Sequence, residues 1–165
     1  MVVSVKAPWR VIRQEVSIEA PMEDVWEAWT TEKGVRSFFA PASRIDLRVG
    51  GAYEILFDPM APPGERGAEG TRVLAFQRPR MLAFTWNAPP HLGDVRAQFT
   101  HVQIWLQAEE ADRTLVTLIH SGWGAGGQWD EAFAYFGRAW GEVVLPTLAE
   151  RFTRGPIDWS DPSGG

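Results

Sequence analysis

The stretch TLVTLIHSGWGAGGQWDEAFAYFGRAW, from Thr114 to Trp140, changes its apolar period halfway. Val116, Leu118 and His120 share one side of an alternating pattern, which predicts a half-buried strand over Thr114 to Ser121. Phe133, Phe136, Trp140 and Val144 then recur at spacings of three and four, the stripe of an amphipathic helix predicted over Trp129 to Phe152. Between the two lies a literal G-x-G-x-x-G at Gly122, Gly124 and Gly127. In a dinucleotide-binding unit such glycines open a helix that leads to a second, parallel strand with an acidic residue at its end. Here only Thr153 to Gly165 follow the helix, a proline- and glycine-rich tail that has no strand pattern and is expected to be frayed. The glycines therefore read as a flexible turn that lets the helix close over a sheet.

The segment Trp9 to Glu19 alternates with Ile12, Val16 and Ile18 on one face, a further strand. After Ala20-Pro21 the period becomes helical at Met22, Val25, Trp26 and Trp29, with Glu23 and Asp24 in the first turn, where the helix dipole favours anions. A second short helix over Thr31 to Phe38 ends before Pro41. Strands follow near Arg44 to Val49 and Ala52 to Asp58, with a turn at Gly50-Gly51 between them. The segment DPMAPPGERGAEG, Asp58 to Gly70, reads as a mobile hairpin loop long enough to serve as a lid. Strands resume over Thr71 to Gln77, Met81 to Trp86 and Ala97 to Gln107, with NAPPHLGDV as an irregular connection. Pro146 inside the last helix should remove one backbone hydrogen bond and bend its final turns. Short turns between successive strands make the sheet antiparallel, so the expected fold is α+β: one curved sheet against a long C-terminal helix.

At 165 residues, with 45% apolar and 22% charged side chains, the chain has the size and composition of one soluble globular domain spanning 1–165, with its core over about 9–152. No apolar run reaches the roughly 18 residues of a membrane span, and MVVSVKAPWR lacks a leader pattern, so the expected location is cytoplasmic. With no cysteine, disulfides, thiolate metal sites and cysteine nucleophiles are excluded. A formal charge of −5 with scattered arginines gives no general attraction to nucleic acid. Nine tryptophans and nine phenylalanines are the unusual feature: such side chains fill a core or line an apolar cavity.

The candidate site is that aromatic interior. Tyr53, Ile55 and Phe57, Phe84 and Trp86, Val102 and Ile104, and Val116, Leu118 and His120 face inward from the strands, toward Phe133, Phe136 and Trp140 on the helix. Trp26, Phe38 and Phe39 are placed to close one end. These side chains either pack solid or surround a ligand, and periodicity does not decide between the two. Inward polar groups are few: the Tyr53 hydroxyl, two indole nitrogens and His120. His120 and Tyr53 are the only acid/base candidates, and neither has a nucleophile beside it, because Ser121 points to the opposite sheet face. His91 and His101 show no metal-ligand spacing, and no cofactor or metal is expected.

Several motifs occurring in order resemble the START-like, or SRPBCC, superfamily. They are AP-x-E-x-VWEAWT (Ala20 to Thr30), SFFAP (Ser37 to Pro41), DLRVGGAYE (Asp46 to Glu54), LAFTW (Leu82 to Trp86) and TLVTLIHSGW (Thr114 to Trp123). The nearest branch is that of the C-terminal domain of the activator of the heat shock protein 90 ATPase. The resemblance spans about Trp9 to Phe152 and implies a helix-grip fold with a cavity between sheet and helix. It does not imply one activity. Members bind lipids, hormones or polyketides, a few are enzymes, and the eponymous domain stimulates a chaperone's ATPase. The expectation is a binder of a small hydrophobic or aromatic molecule between sheet and helix, for transport, sensing or sequestration, monomeric or homodimeric, with a cyclase-, dehydratase- or hydrolase-type enzyme of a hydrophobic substrate or a co-chaperone-like module as alternatives. The long Asp58 to Gly70 loop and Pro146 depart from the family's usual pattern.

Overall fold

The structure, a computed structural model, describes residues 9–160; most of MVVSVKAPWR and the last five residues lie outside it. The described elements are β1 (Ile12–Ile18), α1 (Met22–Thr30), α2 (Glu32–Arg36), β2 (Ala42–Ile45), β3 (Tyr53–Leu56), β4 (Gly67–Ala68), β5 (Val73–Gln77), β6 (Met81–Trp86), α3 (Gly93–Arg96), β7 (Thr100–Glu110) and β8 (Arg113–Ser121). Then α4 (Gln128–Arg138), a π-helical stretch (Ala139–Val144) and α5 (Leu145–Arg154) form one continuous C-terminal helix.

All strand pairs are antiparallel, in the orders β1-β8-β7-β6-β5 and β2-β3-β4. The two ladders join where Ala52 bridges Arg72 and Tyr53 N–H donates to the Thr71 carbonyl at 2.9 Å, giving the curved sheet of a helix-grip fold. A bulge between Val73 and Ala75 bends β5 at this seam. The alternation in β7 and β8 puts Val102, Ile104, Leu106, Val116, Leu118 and His120 on the buried face. The α1 helix turns Val25, Trp26 and Trp29 inward, and the Thr31 side chain accepts from Gly34 N–H at 2.9 Å to start α2.

Three segments differ from expectation. The Asp58 to Gly70 loop contains β4, paired with Ile55 and Leu56. NAPPHLGDV contains the start of α3, and β7 begins at Thr100 rather than Ala97. The tail expected to fray from Thr153 continues as helix to Arg154, and then Ile157 N–H donates to the Ser37 carbonyl (3.0 Å) and Trp159 Nε1 to the Arg36 carbonyl (2.6 Å).

The C-terminal helix answers its proline by widening. Pro146 has no N–H for the carbonyl one turn back, and its ring would collide there. The π-helical stretch ends two residues before it, so that after Trp140 the next buried residue is Leu145 and not Val144, which stays half-buried. The helix lies close to β1: Gln14 Nε2 donates to the Gly137 carbonyl at 2.8 Å, and a Cβ at position 141 would run into the Gln14 side chain. In the turn before α4, Gly122 and Gly127 adopt positive φ (90° and 54°), and Gly124 lies so close to the Trp129 indole that no Cβ fits. This is the packing turn the sequence suggested.

Candidate functional site

Most of the aromatic interior is solid. Trp26, Phe38, Tyr53, Ile55, Phe84, Val102, Ile104, Val116, Leu118 and His120 are all at most 2% exposed and belong to one continuous core. None of these ten lines the cleft described below; their rings and branched side chains interlock, with Tyr53 stacked on Phe84 at 4.3 Å and Trp29 edge-on to Phe38 at 5.0 Å. Phe133 is half-buried beneath the Arg10 guanidinium (4.5 Å) and beside Trp123 (5.3 Å).

The two acid/base candidates are each engaged by neighbours. The Tyr53 hydroxyl donates to the Trp29 carbonyl at 2.7 Å, and burial pushes its pKa well above the usual phenol value. His120 is fixed at both ring nitrogens. Trp140 Nε1, which can only donate, sits 3.0 Å from His120 Nδ1, so Nδ1 is an acceptor and the proton of the neutral ring is on Nε2. That Nε2–H donates to Thr100 Oγ1 at 2.7 Å, and the His120 carbonyl accepts from Trp123 Nε1 at 3.0 Å. Burial, with His101 adding a smaller like-charge contribution, holds the His120 pKa well below its ordinary value. A base needs a lone pair facing a substrate; the one on His120 faces an indole inside the core.

A cleft opens where this core ends. It has a volume of about 390 Å³ and lies between the ends of β3, β4 and β6 on one side and the C-terminal helix on the other. The helical wall is Tyr135, Phe136, Ala139, Trp140, Val143 and Val144, a single face at spacings of one, three and four. The opposite wall is Phe57, Gly67, Ala68, Trp86 and the Asn87 to Pro90 segment, where two prolines stop β6. Phe39 forms the floor, stacked on Trp86 (5.8 Å) and edge-on to Trp140 (5.8 Å), while Trp86 and Trp140 touch at 5.4 Å. These three rings close the cleft off from the interior. Of the residues singled out in the sequence, the structure thus gathers Phe39, Phe57, Trp86, Phe136 and Trp140 at the cleft.

Sequence reasoning missed the rim, formed by Asp58, Glu65, Arg66, Asn87 and Arg96. Arg96 spans it: Nε and Nη2 donate to the Gly64 carbonyl (3.0 and 2.8 Å), Nη2 also to that of Gly67 (2.8 Å), and Nη1 to that of Ala88. Burial lowers the Arg96 pKa and the charges of Glu69 and Glu65 partly restore it. Glu69 accepts from the backbone N–H groups of Gly64 and Arg66, both at 2.5 Å, so the loop expected to be mobile is tied down at several points. Among the described residues no group of three His, Asp or Glu is placed to hold a metal, and no helix is long and apolar enough to cross a membrane.

The model of the activator of Hsp90 ATPase homolog 1-like proteins matches residues 19–152. The chain belongs to this family. The match includes both walls of the cleft and His120. Three solved structures have the same fold at low identity. One is the Aha1 dimer from Colwellia psychrerythraea (19% identity, 88% of this chain and 97% of that one, TM-score 0.65). Another is protein MLL2253 from Mesorhizobium loti (19%, 90% and 100%, TM-score 0.70). A third is PFC0360w, an HSP90 activator from Plasmodium falciparum (16%, 88% and 96%, TM-score 0.64). No curated protein matches the chain in sequence.

Proposed function

We propose that this family member binds a small apolar or aromatic molecule in the cleft between Trp86 and Trp140. The observation that carries the reading is the aromatic floor of Phe39, Trp86 and Trp140 beneath an open mouth, in a volume within the ~300–1,000 Å³ usual for ligand sites. Transport, sensing or sequestration fits better than catalysis, since the histidine and tyrosine that would act as acid and base are bonded within the core.

The test uses the neutral fluorophore N-phenyl-1-naphthylamine. Saturable binding is expected, with quenching of tryptophan emission, and Val143→Arg should abolish it: Val143 lines the cleft yet is 60% exposed, so the fold tolerates the change. Absence of saturable binding, or binding untouched by Val143→Arg, overturns the reading. A second reading follows from the family match: stimulation of a chaperone ATPase. It predicts a rise in that ATPase rate on titration with this chain, and a flat titration removes it.

A further inference from the structure

The rim of the cleft mixes two arginines with acidic groups, and the two arginines are used differently. Arg96 is spent: all three of its guanidinium nitrogens donate to backbone carbonyls. Arg66 is not. Its Nε donates to the Ala61 carbonyl at 2.8 Å and its backbone N–H to Glu69, which anchors the residue at both ends. Its two terminal nitrogens have no acceptor among the described residues, and no carboxylate there lies within ion-pair distance of them. Arg66 nevertheless lines the cleft. A half-buried, anchored guanidinium with unmet donors beside an aromatic floor is a receptor for an oxyanion.

The neighbouring acids are engaged to different degrees. Glu65 and Glu69 act on the charge of Arg96, and Glu69 also accepts two backbone N–H groups. Asp58 Oδ1 accepts from Met60 N–H at 3.3 Å. Asn87 adds a donor at the same rim, with Nδ2 using one of its hydrogens on the Gly67 carbonyl at 3.2 Å. Resting on the cleft reading above, we infer that the ligand is an aromatic or apolar acid, whose body lies against Phe39, Trp86 and Trp140 and whose carboxylate, or comparable oxyanion, is taken by the free fork of Arg66.

Two probes with one body test this: naphthalene-2-acetic acid and its primary amide, with N-phenyl-1-naphthylamine as the neutral control. The acid should bind about 10-fold more tightly than the amide. The gap should close in Arg66→Met and be only partly kept in Arg66→Lys, which has the charge without the fork. The control should bind all three proteins alike. Equal binding of acid and amide, or a gap that survives Arg66→Met, overturns the inference, as does failure of the acid where the control binds; the cleft reading then stands. Failure of the control as well removes both.

Discussion

Two regions of this molecule share one side chain and treat it in opposite ways. On its inner edge Trp140 donates its indole N–H to His120 in a closed core; on its ring face it helps to line an open cleft. Around His120 each polar contact has a complement: Nδ1 with Trp140, Nε2 with Thr100, the carbonyl with Trp123. At the rim of the cleft that Trp140 also lines, Arg66 presents donors unmet. A buried polar group that is satisfied holds the fold together, whereas an accessible one left unsatisfied beside apolar surface is available to a ligand. Residue type alone does not separate these uses, because a histidine draws attention as a catalyst and a loop arginine does not.

The largest effect should come from cutting the shared side chain. Trp140→Ala removes a ring from the core and leaves His120 Nδ1 without a donor, so we expect a loss of about 3–5 kcal/mol in chemical denaturation. Trp140→Phe keeps most of the packing and should lose roughly 1–3 kcal/mol, the cost of the orphaned nitrogen. A loss below about half a kcal/mol for the phenylalanine variant would mean that the Trp140–His120 bond does not hold the core.

A smaller effect should appear as a dependence on pH. His120 is neutral when folded and takes up a proton near its ordinary value when unfolded, so the unfolded chain binds more protons below about pH 6.5. The stability it contributes is complete above that pH and falls as the pH is lowered toward the depressed folded value, by at most about 1.4 kcal/mol per unit. Denaturation midpoints between pH 5 and 8 should show this slope, and His120→Gln should flatten it.

The smallest effect on stability belongs to the cleft wall. Phe57 is 47% exposed, and Phe57→Ala should leave the denaturation midpoint within about 1 kcal/mol of the parent while weakening binding of N-phenyl-1-naphthylamine severalfold. If stability falls and binding does not, the wall is core in disguise.

How much of this was legible in the sequence follows the range of the forces involved. The strands β7 and β8 and the helix α1 were visible because burial of one face imposes a local period that the chain itself displays. The two-residue β4 and the one-turn α3 were not, since Gly67 pairs with Leu56, eleven residues back, and α3 sits among prolines and glycines that suggest only a loop. The aromatic cluster was named in advance, but whether its rings interlock or stand apart depends on contacts such as Trp86 on Trp140, which join positions 54 residues apart. The partners of His120 were hidden for the same reason. Arg66 carried no signal at all: only the folded loop shows which of its donors are used.

The widened stretch over Ala139–Val144 acts like a gear that slips by one tooth. Residues before it keep the three-and-four rhythm of Phe133, Phe136 and Trp140, and residues after it, from Leu145 through Leu148, resume that rhythm one position late. Each added residue turns a helix by about 100°, so the slip gives the two halves independent bearings on one axle. Val143 and Val144 are thereby released from the core and handed to the cleft wall. The length of this stretch is a dial for the shape of the cleft, one that a single inserted or deleted residue would turn by changing which of Ala139, Trp140, Val143 and Val144 face it.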